Sequence, residues 1–179
     1  MRKINLFIII SGIILFLIHG IMASFGLFGV RTDGLKIVAR AAATLITVHA
    51  VISTILTIET LRVRRKSGAG YFKGNGLFWA RRLTGFTVLI PLIMHLTIFM
   101  NYTGEAYRLK EFNTGRMISQ LLLIITMLLH ILLNLNPVLI AFGVKGRKGL
   151  KADLCVFLSV MLFIFAAAFF VYYLRWIRI

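Results

Sequence analysis

Residues 117–144 read MISQLLLIITMLLHILLNLNPVLIAFGV, a run without a single charged side chain. At 1.5 Å rise per residue a helix of this length exceeds the ~30 Å hydrocarbon core of a bilayer, so the stretch is predicted to cross a membrane. Four more runs of the same kind lie on either side of it: Asn5 to Phe25, about Ile37 to Leu61, about Leu83 to Tyr102, and Leu154 to Leu174. Five such helices take up about two-thirds of the 179 residues and only short connections remain, which predicts one all-α transmembrane domain over 1–179 and leaves no length for a separate soluble one. Composition agrees, since 60% of residues are hydrophobic and 15% charged, where a soluble domain carries about 25% charge. Pro91 and Pro137 fall inside two of the runs. Membrane helices tolerate proline where a neighbour or a water takes up the freed carbonyl.

The charge is one-sided: 21 Lys and Arg stand against 5 Asp and Glu, for a net +16. In a chain this apolar the excess reads as loop charge that sets topology and meets anionic lipid, and nucleic acid is not an expected partner. With the N-terminus on the cytoplasmic side, thirteen basic residues fall inside and eight outside. The positive-inside rule then predicts a multi-pass protein of the cytoplasmic (inner) membrane with its C-terminus outside. The first run follows Arg2 and Lys3 as a secretory signal would. Its apolar core is too long, however, and Ala23-Ser24-Phe25 offers no small-x-small cleavage site, so it reads as a permanent helix. The basic, glycine-rich loop at 62–76 reads as a flexible connection.

Chemistry is concentrated in four histidines, His19, His49, His95 and His130, each inside a different one of the first four helices. A lone intramembrane histidine serves equally well as an interhelical hydrogen-bonder, but four together ask for a shared ligand. Depth sorts them into pairs. His19 lies seven residues from Gly26 and His95 seven from Tyr102, roughly 10 Å below the outer boundary. His49 is twelve residues from Ile37 and His130 thirteen from Met117, roughly 18–20 Å down from the same side. Two tiers of two imidazoles match two stacked bis-histidine haems b, with the first four helices forming the haem-binding bundle. Zinc or non-haem iron would ask for carboxylates or a third ligand at one level, yet the acids Asp33, Glu59, Glu105, Glu111 and Asp153 all lie near helix ends or in loops. The single cysteine, Cys155, excludes an internal disulfide, Cys-x-x-Cys-His haem attachment and a cysteine-ligated iron–sulfur cluster. Small residues, among them Gly12, Gly20, Ala43, Ala50, Ser53 and Gly85, leave room either for a flat macrocycle or for ordinary close helix packing.

Where the third helix begins, the chain reads Phe78-Trp79-Ala80-Arg81-Arg82-Leu83-Thr84-Gly85-Phe86. Arg81 and Arg82 with Thr84 and Gly85 are candidate cofactor-binding residues, because guanidinium donors, a hydroxyl and an unobstructed backbone suit a haem propionate or a quinone carbonyl. A plain basic anchor beside a Trp belt residue reads equally well. With its four intramembrane histidines, this element resembles the membrane cytochrome b subunits of succinate dehydrogenase and fumarate reductase, which carry an Arg-x-Thr/Ser-Gly element at a helix start. The likeness covers the whole chain as a layout of helices and histidines, and Arg82 to Gly85 as a local motif.

The resemblance implies alternating ligation, His19 with His95 and His49 with His130, the pairing that depth gives independently. It implies an electron-transfer subunit that anchors flavoprotein and iron–sulfur subunits to the membrane and passes electrons between them and quinone. Substrate chemistry would belong to those partners, since the chain has no G-x-G-x-x-G fingerprint and no cysteine cluster. One departure is that Glu59 stands at the inner end of helix two, so no glutamate lies beside the outer pair for quinol proton release. Two other readings remain open: a cytochrome b561-like transmembrane electron carrier, and a non-redox transporter or assembly protein whose histidines handle protons or a transition metal.

Overall fold

In the computed structural model, which describes residues 2–30, 32–67, 75–99, 112–144 and 148–177, the chain is five long helices. They are α1 (Arg2–Leu27), α2 (Leu35–Ser67), α3 (Gly76–Phe99), α4 (Thr114–Ala141) and α5 (Lys148–Ile177). All five are long and apolar enough to cross a membrane. Tyr102, Glu105, Glu111, the loop glycines Gly68, Gly70 and Gly74, and the loop charges Arg31, Lys73, Arg108, Lys110, Lys145, Arg147 and Arg178 lie outside the described residues.

Two helices differ from the sequence reading in a way that matters for the site. α3 begins at Gly76 rather than near Leu83, so Arg81 and Arg82 sit inside the helix instead of opening it. The expected boundary followed the charge, but long basic side chains in a helix can turn to neighbouring carbonyls, as both arginines do here. α2 runs on to Ser67, which places Glu59 more than two turns before its end.

The helices pack as two couples, α1 with α2 and α3 with α4, and α5 lies against both α1 and α4. Lipid is as apolar as leucine, so such association depends on close packing and interhelical hydrogen bonds rather than on escape from water. The side chains follow that division. Phe7 and Phe163 are 73% exposed and face outward, while Leu162, Phe165, Ala168 and Tyr172 of α5 are buried. Gly20 of α1 faces the Phe165 ring, and Gly12 lies opposite Leu45 of α2. At those positions the small residues serve helix packing.

Near the Leu27 end of α1, an aromatic cluster ties α5 to the segment before α4. Phe112 stacks on Phe169 with centroids 6.5 Å apart and meets Tyr172 edge-on at 5.2 Å. The Thr114 hydroxyl pairs with the Tyr173 hydroxyl at 2.7 Å, and Asn113 caps α4 by accepting from the Arg116 N–H. The α1–α2 turn is made by Gly29 and Gly34 at φ 91° and 81°, a region that glycine enters without a Cβ penalty. Arg175 of α5 closes that turn by donating to the Phe28 carbonyl at 2.9 Å.

Backbone and hydroxyl groups in lipid must find partners within the protein. In α2, Thr44, Thr47, Thr54, Thr57 and Thr60 each donate to the carbonyl four residues earlier. Pro137 raises the same problem in α4, because it lacks the N–H that would bond the Leu133 carbonyl. Arg81 solves it, its Nε donating to Leu133 O at 2.9 Å across the α3–α4 contact. Arg81→Leu should therefore lower stability by about 1–3 kcal/mol, the cost of an unsatisfied buried acceptor. Adding Pro137→Ala should recover part of the loss by returning the missing N–H. Thermal unfolding in detergent checks both, and an Arg81→Leu protein as stable as the parent would show that the Leu133 carbonyl does not depend on Arg81.

Candidate functional site

Two of the four histidines meet ring to ring, and the other two are electrostatic neighbours. His19 of α1 and His95 of α3 meet with ring centroids 6.0 Å apart and planes at 87°, although α1 and α3 are not among the helix pairs that pack extensively. His49 of α2 and His130 of α4 form the second tier, in which His49 and Arg82 are electrostatic neighbours of His130. Gln120 meets His95 and Thr84 meets His130, so on both α3 and α4 the tiers stand about 15 Å apart at 1.5 Å per residue.

Three of the four rings are held at Nδ1. His95 Nδ1 lies 2.7 Å from Oε1 of Gln120, a fully buried side chain. His49 Nδ1 donates to Asn5 Oδ1 at 3.1 Å, which fastens α2 to α1. His130 Nδ1 lies 3.2 Å from the Thr84 hydroxyl and 3.4 Å from Asn134 Nδ2. Thr84 gives its own proton to the carbonyls of Ala80 and Arg81, so its oxygen can accept from His130, whereas the Asn134 NH2 can only donate. The two contacts ask opposite roles of His130 Nδ1 and do not fix its tautomer. A histidine whose Nδ1–H is engaged presents Nε2 as its lone pair, the arrangement found in metal-ligating imidazoles. His19 differs: its Nδ1 is buried without a hydrogen-bond partner.

The Arg81 to Gly85 element turns toward the helices around it. Arg81 bonds Leu133 O in α4, Arg82 Nη1 donates to Ser53 O in α2 at 3.2 Å, and Thr84 meets His130. The Arg82 guanidinium also lies over the Phe78 ring, 5.3 Å from its centroid. Gly85 lies beneath the His130 ring, where an added Cβ would be 3.0 Å from Cε1. The space that Gly85 leaves is thus filled by an imidazole, and the element acts as a cradle for His130.

His95 also packs on Phe99 with centroids 4.8 Å apart, and Phe99 on Phe169 at 6.1 Å. The aromatic cluster thereby covers the first tier on the side of the Leu27 end. Among the described residues no group of three or more His, Cys, Asp or Glu stands close enough to hold a metal ion. The donor sets present are pairs of imidazoles, which do not by themselves complete a zinc or non-haem iron site.

Sequence reasoning missed Asn5, Gln120 and Asn134. Each is an amide within an apolar helix, and the cost of placing an amide there was the available signal. Compared with protein-family models, with curated proteins and with solved structures, the chain matches none.

Proposed function

We propose that this five-helix membrane protein is a dihaem cytochrome b, with His19 and His95 holding one haem and His49 and His130 the other. The observation that carries the reading is the first tier. His19 of α1 and His95 of α3 bring imidazoles from two separate helices to a centroid distance of 6.0 Å inside the membrane-spanning bundle, and these are the two residues that would hold an iron there. The second tier supports it through two imidazoles held by side chains of neighbouring helices, His49 by Asn5 and His130 by Thr84.

Haem b, when bound, supplies an iron at each tier that takes up and gives back single electrons. The chain's own part is to hold the imidazoles and to keep water from the first tier with Phe99, Phe112 and Phe169. Following the resemblance, the protein is the membrane anchor of a succinate dehydrogenase or fumarate reductase-type complex. Its basic cytoplasmic ends dock flavoprotein and iron–sulfur subunits, and it exchanges electrons with membrane quinone. Arg82, with several donors near the second tier, is the residue placed to meet a propionate or a quinone oxygen there.

A visible spectrum of the detergent-purified chain tests the reading. Reduced b-type bands are expected, and a folded but colourless preparation removes it in favour of a non-redox role. Purification with untagged neighbours tests the assignment of partners: flavoprotein and iron–sulfur subunits are expected, whereas a coloured protein recovered alone points to a b561-like carrier.

A further inference from the structure

We infer that Gln120 is the positioning residue of the first tier, fixing His95 in the tautomer that carries its proton on Nδ1 and leaves Nε2 bare. The inference follows from a chain of hydrogen bonds that begins at a backbone carbonyl and leaves each later group one choice. Ser119 Oγ donates to Arg116 O at 2.7 Å. A hydroxyl has one proton, so toward its other neighbour the Ser119 oxygen accepts. That neighbour is Gln120, whose Nε2 donates to it at 2.9 Å. The amide is thereby oriented with its NH2 toward Ser119 and its Oε1 toward His95, 2.7 Å from Nδ1. A carbonyl oxygen only accepts, so Nδ1 must be the protonated nitrogen.

Burial makes the orientation hard to escape. Gln120 is 0% and Ser119 3% exposed, and turning the amide over would set its oxygen against a hydroxyl oxygen whose proton is already used. That turn would leave two buried oxygens facing each other with no proton between them. His19 has no comparable device, since its Nδ1 has no hydrogen-bond partner. Among the described residues the pair therefore consists of one ring locked in tautomer and one ring free to adjust. This deepens the dihaem reading and rests on it for its purpose: an acceptor at Nδ1–H makes an imidazole a stronger donor at Nε2.

The tautomer can be read without any haem. Nitrogen NMR of the full-length, haem-free chain labelled with 15N-histidine distinguishes protonated from bare ring nitrogens, with His95 assigned by its loss in His95→Ala. The expected result is a single His95 form protonated at Nδ1. Gln120→Leu should give a mixture of tautomers, and Gln120→Glu should restore the single form. Ser119→Ala, which leaves His95 and Gln120 in place, should also give a mixture because the amide is then free to turn over. Haem retention at the first tier should weaken roughly 10–100-fold in Gln120→Leu, with the second tier unchanged.

If Gln120→Leu does not fold, the Ser119→Ala spectrum decides. His95 protonated at Nε2 in the parent, or a single unchanged form in Gln120→Leu or Ser119→Ala, would overturn the inference. A locked tautomer in a chain that binds no haem would uphold it while sinking the dihaem reading.

Discussion

His19→Ala and His95→Ala should each remove the same haem, and His49→Ala and His130→Ala should each remove the other. Every single substitution is expected to halve the haem bound per chain, because each haem would be held by two imidazoles and would lose one of them. The pairing rests on the 6.0 Å approach of the His19 and His95 rings and on the electrostatic neighbourhood that His49 shares with His130. Difference spectra and redox titrations of the four variants check it. Were His19→Ala and His49→Ala to abolish one common centre, the two-tier arrangement would be wrong.

Gly85→Leu should be nearly as severe as His130→Ala and confined to the second tier. A Cβ at position 85 already lies 3.0 Å from His130 Cε1, and the rest of a leucine side chain needs the volume that the imidazole occupies. Both residues sit on helices held together by Arg81 and Thr84, so the ring rather than the backbone must give way. Overpacking costs about 1–3 kcal/mol, which the fold can absorb but a ligand placed to within a fraction of an ångström cannot. Gly85→Ala needs a shift of only a few tenths of an ångström and should keep both haems while moving the second-tier potential. A Gly85→Leu protein with two unperturbed centres would show that His130 is not a ligand.

The five helices were legible in the sequence because apolar length alone commits a segment to a bilayer, as residues 117–144 show. Vertical placement of the histidines was legible only in part. Residue count grouped His19 with His95, which do meet, but it set the two levels roughly 8–10 Å apart because it counted from assumed helix ends, whereas the stretch from Gln120 to His130 puts about 15 Å between them. Lateral information was not available in this way. The charged pair Arg81-Arg82 marked a membrane boundary by rule, yet both side chains turn to carbonyls of neighbouring helices, Arg81 to the one that Pro137 leaves open. Gly85 was open to two readings in the sequence, room for a flat macrocycle or for close helix packing, and only the helix rotation shows that it lies against the His130 imidazole. The amides Asn5 and Gln120 stand 44 and 25 residues from the rings they hold, and no local spacing links such partners. Helix rotation decides them, and a single sequence gives rotation poorly when apolar residues surround the helix on every side.

The most direct test of the two-tier account is the ratio of haem to polypeptide in the purified chain, by pyridine haemochrome against amino-acid analysis. Each tier supplies two imidazoles, so the account predicts two haems b per chain. A ratio near one would leave one histidine pair purely structural, and a ratio of zero in folded protein would contradict the account altogether.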